Sequence, residues 1–183
     1  SWRSSLLRQL YTETRRALRR GLENPLARRD VVDATRRASA DLLEYRGFFE
    51  DDLRAIWAAR GDDYFLRERP EDIAWHTEAI ANHANVDRPL VLVRQSVDSP
   101  VANATQIFVH APDTEDLFAR ICAELEILDL SVNDARIYLG DDGYTLDTFF
   151  VLQADGNPVP GDEVTLSGIQ RVLQQALEHG KLR

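Results

Sequence analysis

The apolar positions of this chain change their period once. From residue 1 to about residue 88 they recur every three or four residues, the spacing of helices with one buried side. Leu6, Leu7, Leu10, Tyr11, Thr14, Ala17 and Leu18 mark a first helix that ends at Gly21. Val31, Val32, Ala34, Ala38, Leu42 and Leu43 mark a second over about 26–45, broken by Gly47. A short third helix, about 50–60, carries Leu53, Ile56 and Trp57. Pro70 suits the first turn of a fourth, about 70–84.

After Asp87 the period shortens. Pro89-Leu90-Val91-Leu92-Val93 is a β-type run followed by a polar loop. The predicted order from Thr105 is a strand (about 105–110), a helix (about 114–129), two strands (about 131–139 and 144–153) and a helix (about 162–179). Gly140-Asp141-Asp142-Gly143 forms the hairpin turn between the paired strands. Leu117, Phe118, Ile121, Cys122, Leu125 and Leu128 share one helix face, and Val164, Ile169, Val172, Leu173, Ala176 and Leu177 share another. This βαββα order is one strand short of the ferredoxin-like βαββαβ sandwich. The expected class is therefore α+β. Residues 1–88 form a helical segment, and residues 89–183 form an antiparallel sheet domain whose final strand is missing. Both helices are expected on one sheet face. The other face, with its apolar side chains, is expected to stand open, and the vacant edge to invite a neighbour.

Composition narrows the function. Apolar residues make up 44% and charged residues 29%, the balance of a soluble globular protein. No apolar run reaches the ~20 residues of a membrane span, and the opening residues lack a secretory pattern. The single cysteine, Cys122, excludes an internal disulfide and points to the cytoplasm. Its place in an apolar helical pattern marks it as a small core residue. There is no methionine, so Ser1 is not expected to be a natural start and the chain reads as an excerpt. Residues 1–46 hold eleven arginines and six acids, a net of +5, and the remainder holds 11 basic and 25 acidic residues, a net of −14. The arginines are interleaved with acids opposite apolar positions, as on a solvated helix face. Without an aromatic stacking array they do not predict nucleic-acid binding.

No catalytic constellation emerges. His76 and His83 lie seven residues apart on one helix, roughly 10 Å, too far for one metal ion. Asp72 stands one turn from His76, but two ligands do not make a site. The pairs Asp51-Asp52, Asp62-Asp63 and Asp141-Asp142 lack calcium-loop spacing. There is no G-x-S-x-G turn. The one credible ligand position is the junction His110-Ala111-Pro112-Asp113-Thr114-Glu115-Asp116-Leu117, where a strand feeds a helix. Free N–H groups at a helix start can hold a carboxylate. A helix start capped by Asp113 or Thr114 is the plainer reading.

The segment from Thr105 to Pro158, with IFVHAPD, LFARICAEL, LSVNDARI, LDTFFVL and DGNP, resembles the first of two ACT domains in the bifunctional PII uridylyltransferase/uridylyl-removing enzymes. DDYFLRERPEDIAWH resembles that family's segment between the HD domain and the first ACT domain, and SWRSSLLRQLYTETRRALRRGL its post-HD helices. The resemblance implies a parent with a nucleotidyltransferase domain that uses magnesium and UTP to modify PII. It also implies an HD phosphohydrolase domain with its own divalent metal, and paired ACT domains that sense glutamine. This stretch would hold the connector and the first sensor, with no catalytic residue, metal or cofactor of its own. It contains neither a Gly-Ser…Asp-x-Asp pattern nor a His-Asp dipeptide. Its partners would be PII through the parent, other domains of the parent or a second ACT domain, but no nucleic acid and no membrane.

On the ACT pattern, Pro112, Asp113, Thr114, Glu115, Asp116 and Leu117 would form the ligand turn, and Ser131 would take the place of an Asn that helps bind ligand. Glu115 and Asp116 stand where the motif has Pro and Gly. Two acids suit the helix dipole but repel an incoming carboxylate. A sheet module that binds no small molecule, and an amino-acid sensor from another metabolic enzyme, are the alternatives.

Overall fold

A computed structural model describes residues 25–84, 87–96 and 100–179. The helix expected before Gly21 and the last four residues of the chain lie outside the described residues. By their contacts, the described residues fall into two compact units: 25–84 with 140–142, and the remainder from residue 87 onward.

The first unit is helical: α1 (Pro25–Tyr45), α2 (Glu50–Ala58), α3 (Asp62–Arg67) and α4 (Pro70–Asn82). Gly47 ends α1 as expected, because its φ of 88° is a conformation only glycine adopts without strain. The turn closes with Phe48 N–H on the Leu43 carbonyl at 3.0 Å and Gly47 N–H on that of Glu44 at 2.9 Å. Asp52 accepts the Phe49 N–H at 2.9 Å and so fixes the start of α2. Pro70 opens α4.

Leu43, Leu53 and Ala74 form the centre of the unit, with Leu42, Phe48 and Trp57 packed on them. The Trp57 indole N–H donates to Thr77 Oγ1 at 3.0 Å, and its ring meets Phe65 edge to face. Tyr64 and His76 are buried together, hydroxyl to Nδ1 at 3.1 Å. Burial, helped by Glu68, pushes the Tyr64 hydroxyl well above its usual range. Val31 departs from the sequence reading: it is 49% exposed while Val32 is 3% exposed. Consecutive helix residues diverge by about 100°, so one of the pair must face out. Residues 140–142 complete the unit, with the buried Arg60 guanidinium donating to the Asp142 carboxylate at 2.8 Å.

The second unit contains β1 (Leu90–Gln95), β2 (Thr105–Pro112), α5 (Leu117–Ile127), β3 (Leu130–Leu139), β4 (Tyr144–Gln153) and α6 (Glu163–His179). All neighbouring strands are antiparallel, in the order β1-β2-β4-β3. The α+β class with an antiparallel sheet, expected from the sequence, is the one found. The strand that completes the sheet comes from upstream. The run 90–95 lies along the free side of β2, with Leu90 opposite His110 and Gln95 opposite Thr105. The vacant edge beside β2 expected from the sequence is therefore filled within the chain.

Side chains alternate across each strand. Ile107, Val109 and Ala111 of β2, Phe149 and Val151 of β4, Val132 and Ala135 of β3, and Val91 of β1 meet Leu117, Ile121 and Leu125 of α5 and Ile169, Leu173 and Leu177 of α6. A bulge between Val132 and Asp134 keeps both Val132 and Ala135 on this face. The second face was expected to stand open, yet Phe108, Leu146 and Phe150 are all at most 2% exposed. Large side chains on the two central strands would otherwise leave a wide apolar patch in water.

α6 holds β1 in place. The Gln174 side chain accepts the Val91 N–H at 3.2 Å and donates to the Pro89 carbonyl at 2.5 Å. Gln95 Nε2 donates to the Val159 carbonyl at 3.1 Å. Arg120 of α5 donates to the Ala176 and Leu177 carbonyls near the end of α6. Asp162 accepts the Thr165 N–H at 2.9 Å at the other end. Gln174→Ala removes one bond to β1 and one to Pro89 just before it, and is expected to cost about 1–3 kcal/mol. Urea unfolding reads that loss, and faster hydrogen exchange at the Val91 amide locates it.

Candidate site at the turn between β2 and α5

The turn is built by the end of one strand and the late start of a helix. β2 stays paired through Pro112, opposite Tyr144. Asp113 N–H then donates to the Gly143 carbonyl at 2.9 Å. The chain is thus still tied to β4 where the sequence pattern places the helix start, and α5 begins only at Leu117. Residues 114–116 form a turn closed by Leu117 N–H on the Thr114 carbonyl at 3.0 Å.

Asp113, Thr114, Glu115 and Asp116 are exposed, Pro112 is half-buried, and Leu117 is buried in the core under the turn. The capping position belongs to Asp116, not to Asp113 or Thr114, and its side chain makes no cap bond. Instead its carboxylate accepts the Thr114 hydroxyl at 3.2 Å. Three exposed carboxylates, at residues 113, 115 and 116, thus lie in the segment that leads into α5. Such a rim repels an anion and attracts a cation.

Ser131 does not join this turn. It lies half-buried at the start of β3, opposite Leu152, while the turn stands beside the first residues of β4. Leu152 is seven steps along β4 from Thr145, the partner of Ala111, which is roughly 23 Å at 3.3 Å per residue. One copy of the unit gathers Pro112 to Leu117 and leaves Ser131 at the far end of the sheet. Periodicity alone could not reveal this, because it assigns a strand but not which end meets which loop.

A residue that the sequence reading passed over stands beneath the turn. Asp147, in LDTFF, is 2% exposed on the face that carries Val109. Burial pushes its carboxyl up to about 7; the bond from Thr145 works against the rise, and Asp113 adds to it. On the opposite face, His110 Nδ1 bonds the Thr145 carbonyl at 2.9 Å and its ring lies against Tyr144.

The other candidates have structural places. His76 is buried on Tyr64, and His83 sits at the end of α4. Asp51, Asp52, Asp62 and Asp63 occupy the first turns of α2 and α3, where they suit the helix dipole. Cys122 is buried. Among the described residues no group of three His, Cys, Asp or Glu side chains could hold a metal ion. Nor is any described helix long and apolar enough to cross a membrane.

A helix-backed, four-stranded antiparallel sheet following a set of helices is an ACT-like α+β architecture. Residues 27–79 match the family model described as the uridylyltransferase GlnD fifth domain. Over 179 residues, 98% of this chain, the sequence is 47% identical to the bifunctional uridylyltransferase/uridylyl-removing enzyme of Stutzerimonas stutzeri. It is 46% identical to that of Azotobacter vinelandii and 45% identical to that of Pseudomonas aeruginosa over the same length. The chain spans about a fifth of the length of these relatives, 20% of each. No solved structure matches. Over nearly its whole length the chain is thus similar to one segment of the bifunctional uridylyltransferase/uridylyl-removing enzymes, and within it residues 27–79 match that family's fifth-domain model.

Gly143 links the turn to the hairpin through its carbonyl and has a φ of 77°. Gly143→Ala is expected to cost about 1–2 kcal/mol in the left-handed region. Chemical denaturation measures the cost, and faster exchange of the Asp113 amide reports the loosened turn.

Proposed function

We propose that this chain is a regulatory segment without chemistry of its own. In this reading its parent transfers UMP from UTP to the PII signal protein and removes it again, and this segment relays glutamine status to the domains that do so. The observation that carries the reading is the match of almost the whole chain to about a fifth of the bifunctional enzymes, with an ACT-like unit in that fifth.

The residues present give magnesium no evident seat, since the described acids form no ligand cluster. In this reading magnesium, UTP and the hydrolase metal belong to other domains of the parent, in the cytoplasm. The effector turn is 112–117. Because Ser131 lies at the other end of the sheet, a site that used both would draw Ser131 from a second ACT-like domain packed alongside. The acidic rim favours a second reading, in which this copy is a docking module and another copy binds the effector.

Thermal unfolding of the chain with glutamine, against other amino acids as controls, separates the two. At 100 times its dissociation constant, a ligand of the folded state adds about 2.7 kcal/mol. That corresponds to a rise of several degrees in Tm for a chain of this size. A glutamine-selective rise supports sensing by this copy. No rise at saturating glutamine assigns it to docking.

A further inference from the structure

The face of the sheet turned away from α5 and α6 carries six side chains of the two central strands. Gln106, Phe108 and His110 of β2 stand opposite Phe150, Thr148 and Leu146 of β4. All but His110 are at most 2% exposed. Two polar atoms are buried in this patch, Gln106 Nε2 and Thr148 Oγ1. Among the described residues neither has a hydrogen-bond partner. Burying such a group unbonded is costly, and native structures seldom do it.

Arg94 of β1 decides which end of the Gln106 amide is left over. Its Nε donates to Gln106 Oε1 at 2.9 Å. The reverse orientation of the amide would set two donors against each other, so the NH₂ group is the end without an acceptor. An amide NH₂ only donates, whereas the Thr148 hydroxyl both donates and accepts. The two residues are diagonal neighbours. Gln106 is opposite Phe150, and Thr148 lies two residues before Phe150 on the same face. Diagonal neighbours are within reach of a long side chain, and one water with two hydrogen bonds spans a further ~5 Å. Thr148 is the shortest of the six side chains, set among Phe108, Leu146 and Phe150. A short side chain between long ones is where a molecule of water's size fits.

We propose that Gln106 and Thr148 hold one buried water, which accepts from the Gln106 NH₂, bonds the Thr148 hydroxyl and so clamps β2 to β4 through their side chains. Two polar partners are the least that a buried water needs, and this pair supplies them. The clamp continues to β1, because Arg94 is bonded to the other end of the same amide. Arg94, Gln106, the water and Thr148 then form one polar chain across three adjacent strands, inside an otherwise apolar patch. The clamp stands whether or not the 112–117 turn binds an effector.

The test is a high-resolution crystal structure of the 183-residue chain, together with urea unfolding of Thr148→Val. Density is expected for one water within about 3.2 Å of both Gln106 Nε2 and Thr148 Oγ1. Valine keeps the shape of threonine and removes only the hydroxyl's hydrogen bonding. With the water in place, Thr148→Val breaks the bridge and should lower the urea midpoint by roughly 0.5 M. A midpoint that stays or rises shows that the hydroxyl bonded nothing, and overturns the proposal. So does wild-type density in which Gln106 and Thr148 bond each other directly, or in which the amide rests on the Phe150 ring with no water. An anion in the water's place, revealed by its anomalous signal, overturns it too. The wild-type density decides even if Thr148→Val does not fold.

Discussion

The second unit depends on one requirement: the outer side of β2 must be hydrogen-bonded. β2 is a central strand, buried along most of its length and sealed on both faces. A row of unpaired N–H and C=O groups along such a strand would cost far more than a domain's net stability. The chain meets the requirement with β1, and Gln174 makes the arrangement specific. Its amide satisfies one donor and one acceptor of the incoming backbone, so β1 is fixed to α6 as well as to the sheet. The alternation on β1 then follows, with Val91 directed to the helices and Arg94 to Gln106 on the other face.

Much of this was legible in the sequence. Gly47, Pro70, the 140–143 turn and the apolar period of α5 each correspond to one local geometry and appear where the pattern puts them, while in α6 Ile169, Leu173 and Leu177 turn inward but Val164, in the first turn, is 83% exposed. The β-type character of 90–93 was legible too. Its role was not, because pairing partners are non-local and a run of Leu and Val fits any edge. The open second face was misread for a related reason: alternation tells which residues share a face but not whether something covers it. Val31 shows the limit at the scale of one residue, where two adjacent valines fit one stripe and the helix turns only one inward.

The candidate turn illustrates the same division. Its residue content and acidic rim come directly from the sequence, while the late start of α5 comes from the tie between Asp113 and Gly143, a long-range bond. Asp147 was overlooked because it stands in a strand alternation with no motif around it. In the sheet that acid shares a face with Val109 and Phe149. A buried polar group inside an apolar alternation is a signal available in the sequence, but it becomes decisive only once the face is known.

Drawing the edge strand from upstream also bears on how the unit folds. A strand supplied after α6 would have to return across the whole domain to find β2. β1 instead pairs with β2 as a hairpin, with partners only 10 to 20 residues apart, from Gln95–Thr105 to Leu90–His110. β3 and β4 form a second local hairpin. That leaves the β2–β4 seam as the sheet's one long-range closure. A sheet assembled from two hairpins has a lower contact order than the βαββαβ order and pays less loop entropy before its contacts form. The same rearrangement that seals the edge shortens the search for it.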